Sequence, residues 1–225
     1  MVKGLGNLQE RLDKKEKERE NKRSRFYLAD GDIAEIRFLS SSDDFFVPEV
    51  HRIQDVSTNQ KTFWRTVLCS GEDCAVCKSG DRPSERIFAW IFVEKILHKS
   101  LVDGKDWELV KNRDGKKFYV ETVKAPRILE SGIGRGRNLA MKFINMNSEY
   151  GTLNDRPYKW IRSGAGLDTT YELIPMDPRP FDVEKIVGDL KDLESAVVEN
   201  IFSPGEKNNT KINDTSSEED NGELF

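Results

Sequence analysis

The chain has 225 residues, of which 36% are hydrophobic and 34% are charged. This length suits one sizeable domain with appendages or two small ones, and so much charge must lie largely in arms, tails and solvated faces. No apolar run approaches the roughly 18 residues that span a membrane, and the N-terminus lacks the apolar core of a signal peptide. We therefore expect a soluble cytoplasmic protein without a membrane partner.

The net charge of −4 is unevenly distributed along the chain. Residues 1–25 contain nine Lys and Arg against five Asp and Glu, a net charge of +4. Residues 206–225 contain two against six, a net charge of −4. A basic arm at one end and an acidic tail at the other indicate a protein that binds a polyanion. The acidic tail would compete with that polyanion for the binding site.

The N-terminal segment, residues 1–25, is predicted to be a charged arm. Within it, residues 7–23 have high helix propensity but only Leu8 and Leu12 as apolar anchors. Because such a segment has no apolar face to bury, we expect a frayed helix or a disordered arm.

Residues 26–181 are predicted to form the β-structured core. Six segments are rich in β-branched and aromatic residues and are bounded by turn residues: 29–40, 61–68, 86–97, 117–124, 159–163 and 169–175. Asp103–Gly104 and Asp114–Gly115 are typical of hairpin turns. No helix alternates regularly with these strands, so the pattern favours a mainly β fold, a small barrel, over a doubly wound sheet.

The C-terminal part changes period. Residues 182–203 carry apolar side chains at helical spacing behind a candidate N-cap, Asp182, which predicts one helix covering the barrel. Residues 204–225 are polar and acidic and are predicted to be a disordered tail. The tail ends in Glu223, Leu224 and Phe225, and this apolar tip predicts a docking site for a partner protein.

The three cysteines of the chain, Cys69, Cys74 and Cys77, lie within nine residues. An odd, clustered set argues against a disulfide framework, and the spacing Cys74-x2-Cys77 is typical of a zinc site. The fourth ligand would be a histidine, either His51 or His98, and spacing favours His51. Four protein ligands fill a tetrahedral shell, so the site is predicted to be structural.

The sequence argues against an enzyme. A zinc deaminase needs H-x-E and P-C-x-x-C, but Arg52 and Ile53 follow His51 and Asp73 precedes Cys74. Residues 131–137 form a glycine-rich basic segment that lacks the third glycine of a dinucleotide fingerprint. No catalytic constellation appears, so an enzyme, most plausibly a nuclease, is less favoured than a binding protein.

Aromatic and basic residues alternate in three strands, as binding of single-stranded nucleic acid requires. The candidate DNA-binding residues are Arg37, Trp64, Arg65, Arg82, Arg86, Phe88, Trp90, Arg135, Arg137, Tyr158, Lys159 and Arg162. Aromatic side chains in strands commonly belong to the core, so we expect about half of these rings to be buried.

Four features together resemble the zinc-containing single-stranded DNA-binding proteins of tailed bacteriophages. Residues 34–39 resemble the first barrel strand of that family, and residues 86–93 resemble the strand that follows its zinc module. His51 and the three cysteines follow its His–Cys–Cys–Cys order, and Trp64 stands five residues before the first cysteine. The resemblance is clear over residues 29–95 and favours His51 over His98.

The resemblance implies an OB-fold core at 26–181 with a zinc subdomain at about 51–80. It also implies a protein that coats and protects single-stranded DNA during phage replication, recombination and repair in the host cytoplasm. The expected partners are single-stranded DNA and, through the tail, replication or recombination proteins. The protein is expected to be a monomer or to self-associate weakly on DNA. The alternative function is a zinc-stabilised replisome adaptor whose main partner is another protein.

Overall fold

The computed structural model describes residues 25–56, 62–112, 114–133 and 139–202. Several sequence predictions therefore fall outside the described residues: the arm before Arg25, Arg135 and Arg137, and the tail with Glu223, Leu224 and Phe225.

The described residues are mainly β-structured, as the sequence predicts. The strands are β1 (Ile33–Phe38), β2 (Glu49–Val56), β3 (Thr62–Leu68), β4 (Ser84–His98), β5 (Glu108–Lys111), β6 (Lys117–Gly132), β7 (Tyr158–Ser163) and β8 (Thr170–Pro175). The helices are α1 (Ala75–Lys78), α2 (Leu139–Tyr150), α3 (Val183–Val187) and α4 (Leu193–Asn200). All six predicted strand segments contain a strand, and the turn glycines Gly104 and Gly115 adopt positive φ angles of 76° and 78°.

The strands form an open antiparallel sheet in the order β3-β2-β4-β1-β7-β8. The long strand β4 is the centre of this sheet, because it pairs with β1, with the start of β2 and with β6, and β6 also pairs with β5. The β2–β3 hairpin therefore projects from one end of β4, while β5 and the start of β6 extend from its other end.

The main core follows from the two-residue period of a strand. Alternate residues of β1 and β4 point to the inner face and are almost completely buried: Ala34, Ile36, Phe38, Ile87, Ala89, Ile91 and Val93. Helix α2 closes this core with Leu139 and Phe143, which are each 3% exposed.

The outer face of β4 and β6 is also covered. Phe88 and Ile128 pack in a second cluster with residues of α4 and the chain that follows it, including Val197 and Phe202. The predicted single helix at 182–203 is two short helices instead. Asp182 caps α3 and Asp192 caps α4, each accepting a hydrogen bond from a backbone N–H three residues later.

Helix α2 was not predicted, and it lies between β6 and β7. Among the described residues no helix has the length and apolar character needed to cross a membrane.

Candidate metal centre and nucleic-acid interface

Three segments of chain converge at the base of the β2–β3 hairpin. His51 belongs to β2, and Cys69 directly follows β3. Cys74 is the N-cap of α1, and Cys77 lies within that helix. The backbone N–H of Cys69 donates to the carbonyl of Glu49 at 2.9 Å, which keeps the two strands paired up to the cysteine.

The four side chains direct their donor atoms to one point. His51 Nε2 lies 3.4 Å from Cys74 Sγ and 3.3 Å from Cys77 Sγ, and Cys69 Sγ lies 3.6 Å from Cys77 Sγ. All four donor atoms lie within 4.8 Å of one another. A tetrahedral ion with bonds of about 2.0–2.3 Å separates its ligand atoms by about 3.3–3.8 Å, so this cluster can hold one metal ion.

The thiols are electrostatically unequal. Hydrogen bonds from the backbone N–H groups of Cys77 and Ser70 lower the pKa of Cys74 to about 6. Burial and the neighbouring thiols of Cys69 and Cys74 raise the pKa of Cys77 to about 12. Because metal binding requires deprotonated thiols, a bound cation would relieve the repulsion that raises the pKa of Cys77.

Asp81 completes the centre from outside the ligand set. Its Oδ2 lies 2.9 Å from His51 Nδ1, so the ring nitrogen that faces away from the cysteines has a carboxylate partner. This arrangement fixes the tautomer and orientation of a metal-ligating histidine. Sequence reasoning missed Asp81, because its distance along the chain from His51 gives no signal of the contact.

His98 lies in a different environment. Its Nδ1 is 2.8 Å from Asp32 Oδ2, its Nε2 is 3.0 Å from Glu121 Oε2, and its ring stacks on Trp107 with a centroid distance of 4.2 Å. His51 is therefore the histidine of the cluster, as the sequence favoured.

The β2–β3 hairpin presents an aromatic ring to solvent. Trp64 is 59% exposed, and the Arg52 guanidinium lies 5.6 Å from the centre of its ring. Strand pairing places Trp64 opposite Gln54 and Thr66 opposite Arg52, so Trp64 and Arg52 are diagonal neighbours on one face. The sequence predicted Trp64 but missed Arg52, which the alternation in β2 could have revealed.

Other predicted contacts also reach solvent. Arg82 and Lys159 are exposed, and Arg162 is half-buried with its guanidinium 5.2 Å from the centre of the Tyr27 ring. Tyr27 is 72% exposed, and the sequence prediction did not include it. Trp64 and Arg52 lie on the β2–β3 hairpin, whereas Tyr27 and Arg162 lie at β7, which does not pair with that hairpin.

Three predicted DNA contacts are corrected by their burial. Phe88 is 0% exposed in the second cluster, and Tyr158 is 0% exposed in the main core, where burial raises its pKa to about 12. Arg37 is 1% exposed, and its Nε donates to Glu94 at 3.2 Å. These three side chains offer no surface to a ligand and are left out of the interface.

Three further candidates are half-buried. Trp90 donates from its indole nitrogen to the carbonyl of Lys191 at 3.2 Å, and Arg86 lies 3.5 Å from Glu130. Arg65 is half-buried in the β2–β3 hairpin. The structure does not bring all predicted contacts into one groove, and Arg135 and Arg137 remain outside the described residues.

The chain matches no family model, and no curated protein or solved structure is significantly similar to it.

Proposed function

We propose that this protein binds single-stranded DNA without strong sequence preference. The observation that carries the proposal is the exposed Trp64 ring beneath the Arg52 guanidinium, on a hairpin whose base is tied together by the candidate metal centre. Every base has a face that can stack on an aromatic ring, and a neighbouring cation attracts the phosphates. A hairpin that carries this pair is therefore suited to sequence-tolerant binding.

The proposed metal is Zn²⁺, one ion per chain. Three thiolates and one imidazole form a soft, four-ligand tetrahedral set, which zinc prefers. The set leaves no position for water or substrate, so the ion would have a structural role.

The proposed fold of the core is an OB-fold. Leaving out the β2–β3 hairpin and β5, the remaining strands pair as β6-β4-β1-β7-β8, with α2 between β6 and β7. This order supports the five-stranded, partly open Greek-key barrel of OB-folds. The β2–β3 hairpin then lies in the connection between the first two barrel strands, a connection that OB-folds use to bind oligonucleotides.

The cellular role follows as part of the same proposal. The protein would coat and protect single strands during phage replication, recombination and repair, and its acidic tail, ending in Leu224 and Phe225, would recruit replication or recombination proteins. This role consists of binding and requires no catalysis by the chain.

A zinc-stabilised adaptor is the second candidate function. One observation favours it: Leu101, Val102 and Leu109, around the β4–β5 connection, are each about half exposed. Such an apolar end suits a protein partner.

Binding of fluorescently labelled oligo-dT at physiological salt distinguishes the two functions. Replacement Trp64→Ala should lower affinity by about 1–3 kcal/mol, the worth of one stacked base, whereas Trp64→Phe should retain most of it. The matched control Leu109→Ala should bind normally. If wild type fails to bind oligo-dT, the adaptor function is favoured. If Trp64→Ala binds as wild type does, the interface lies elsewhere.

Incubation of labelled DNA with the protein and Mg²⁺ tests whether the protein is a nuclease. Cleavage of the DNA would contradict the proposal.

A further inference from the structure

An apolar groove with an acidic rim lies between the chain that follows β1 and the start of α4. It runs between residues 39–46 and residues 187–194 and has a volume of about 420 Å³. Its floor is apolar and includes Phe46, Trp90 and Leu193. At the edge, Val187 is 41% exposed, so the groove offers apolar surface that the described residues leave uncovered.

The rim has one predominant sign of charge. Four acidic side chains line the groove: Asp43, Asp44, Asp192 and Glu194. The basic lining residue, Lys191, is paired with Glu199 at 2.7 Å. An occupant should therefore be cationic and carry apolar anchors.

The N-terminal arm has this chemistry. Residues 1–24 contain eight Lys and Arg against five Asp and Glu, a net charge of +3. Residues 7–23 contain only two leucines, too few to hold a helix on their own, but Leu5 adds a third. Leu5, Leu8 and Leu12 follow the spacing i, i+3, i+7, so they would share one face of a helix that packs on an apolar surface. An amphipathic helix in an apolar groove is a common mode of peptide recognition.

The arm also begins within reach of the groove. The backbone N–H of Phe26 donates to the carbonyl of Ile128 at 2.9 Å, and Ile128 pairs across the sheet with Trp90 of the groove floor. Paired strands lie about 4.8 Å apart, so the 24 residues before Arg25 have ample length to return to the groove of their own chain. A tethered segment has an effective concentration in the millimolar range, which favours its own groove over that of a second copy.

We propose that the N-terminal arm, residues 1–24, docks in this groove of its own chain, with leucines on the apolar floor and basic residues on the acidic rim. The acidic tail is a poorer occupant, because residues 206–225 carry a net charge of −4 and would be repelled by the rim. The inference does not depend on DNA binding.

Zero-length cross-linking of the full chain with a carbodiimide tests the proposal, because this reagent joins lysine amines to carboxylates in contact. An equal mixture of ¹⁴N- and ¹⁵N-labelled protein shows by mass spectrometry whether each cross-link is within one chain. We expect Lys14, Lys15 or Lys17 to be joined to Asp43 or Asp44 in peptides of a single isotope.

The variant Leu8→Ser with Leu12→Ser leaves the reactive groups intact and should lower the yield of these cross-links about tenfold or more, because burying a leucine is worth at least that factor. The matched control Leu101→Ser with Val102→Ser should leave the yield unchanged. Mixed-isotope cross-links would assign the groove to a second copy and overturn the proposal. Cross-links of the arm lysines mainly to tail carboxylates, or a yield that the leucine variant does not change, would also overturn it.

Discussion

At the scale of single residues, the metal centre combines residues that are close in the sequence with residues that are far apart in it. Cys74 and Cys77 are separated by two residues and can be recognised as a pair from spacing alone. Asp81 supports His51 across the fold and has no such spacing. Sequence patterns therefore predict the ligands of this centre and not the residue that orients one of them.

Removal of the Asp81 carboxylate should weaken metal binding. Without it, His51 Nδ1 loses its partner at 2.9 Å, so the imidazole is less well oriented. We expect Asp81→Ala to lower metal affinity by about 10–100-fold, as other supporting carboxylates do. Competition with a chromophoric chelator measures this change. Asp73→Ala, which removes an exposed partner of Lys78, is the matched control and should bind metal normally. Unchanged affinity in Asp81→Ala would show that the carboxylate has no orienting role.

The aromatic residues show where sequence reasoning ends at this scale. Alternation predicts which side chains share a face of a strand, but it does not say whether that face is covered. Phe88 lies on the outer face of β4 and is nevertheless buried, because Phe202 packs on it at a centroid distance of 5.6 Å. Trp64 lies in the β2–β3 hairpin, and the described residues leave it 59% exposed. The distinction depends on distant parts of the chain.

At the scale of elements, the strands were predictable and the helices less so. β-branched and aromatic runs between turn residues identify β1, β4 and β7. Helix α2 has only two buried residues, Leu139 and Phe143, and several polar ones. The helical periodicity of its apolar residues is therefore weak in the sequence. The covering segment was predicted as one helix from its apolar period, but it stops at Gly188 and restarts after Asp192, whose side chain caps α4.

Removal of the metal should loosen the β2–β3 hairpin while the main core stays folded. Structural zinc contributes on the order of 10–16 kcal/mol in small peptides, and here it would join β2 to the segment after β3. With a chelator present, we expect faster hydrogen exchange at residues 49–56 and 62–80 and unchanged exchange in β1. Chelation should also lower the affinity for oligo-dT. The loss should be smaller in Trp64→Ala, because that variant has already lost the stacking contact. Equal exchange with and without chelator would contradict a structural metal.

Arg179 and Phe181 pack against the outer faces of β1 and β4, where Arg179 pairs with Glu35 and the Phe181 ring contacts Phe92. The stability that this contact contributes should depend on pH. Burial raises the pKa of Glu35, but hydrogen bonds and charge from Lys95 and Arg179 outweigh it and lower the pKa overall from 4.5. A carboxylate with a lowered pKa contributes stability above its unfolded value, and this contribution disappears as the pH falls through the folded value. We therefore expect Arg179→Ala to lower the melting temperature at pH 7, and the difference from wild type to narrow below pH 4.5.

The control for this prediction is Lys78→Ala, which removes an exposed ion pair with Asp73. Exposed ion pairs contribute little to the free energy of unfolding. This variant should therefore have the melting temperature of wild type at both pH 7 and pH 4. A difference between wild type and Arg179→Ala that stays constant from pH 7 to pH 4 would mean that Glu35 is not the partner that matters.

At the scale of the whole molecule, both ends of the described chain lie close together. The side chain of Arg25 donates to the carbonyl of Ile201 at 3.3 Å, so the basic arm and the acidic tail leave the fold from neighbouring points. The charge of +4 on residues 1–25 cancels the charge of −4 on residues 206–225, so the total of −4 equals the net charge of the residues between them. The total by itself would argue against a nucleic-acid binder. The distribution of charge along the chain is therefore more informative about the partner than the net charge is.

The tail should act as an internal competitor of DNA. Residues 206–225 carry a net charge of −4 on a tether that gives an effective concentration in the millimolar range. Deletion of these residues should therefore tighten oligo-dT binding, and the effect should be largest at low salt, because screening between charges is weakest there. A titration of affinity against salt for both proteins measures this. Replacement of Leu224 and Phe225 by Ser keeps the charge, so it should leave DNA affinity nearly unchanged while it abolishes docking of a partner protein. If full-length and tail-deleted protein bind oligo-dT equally at low salt, the tail is not a competitor, and its charge serves another purpose.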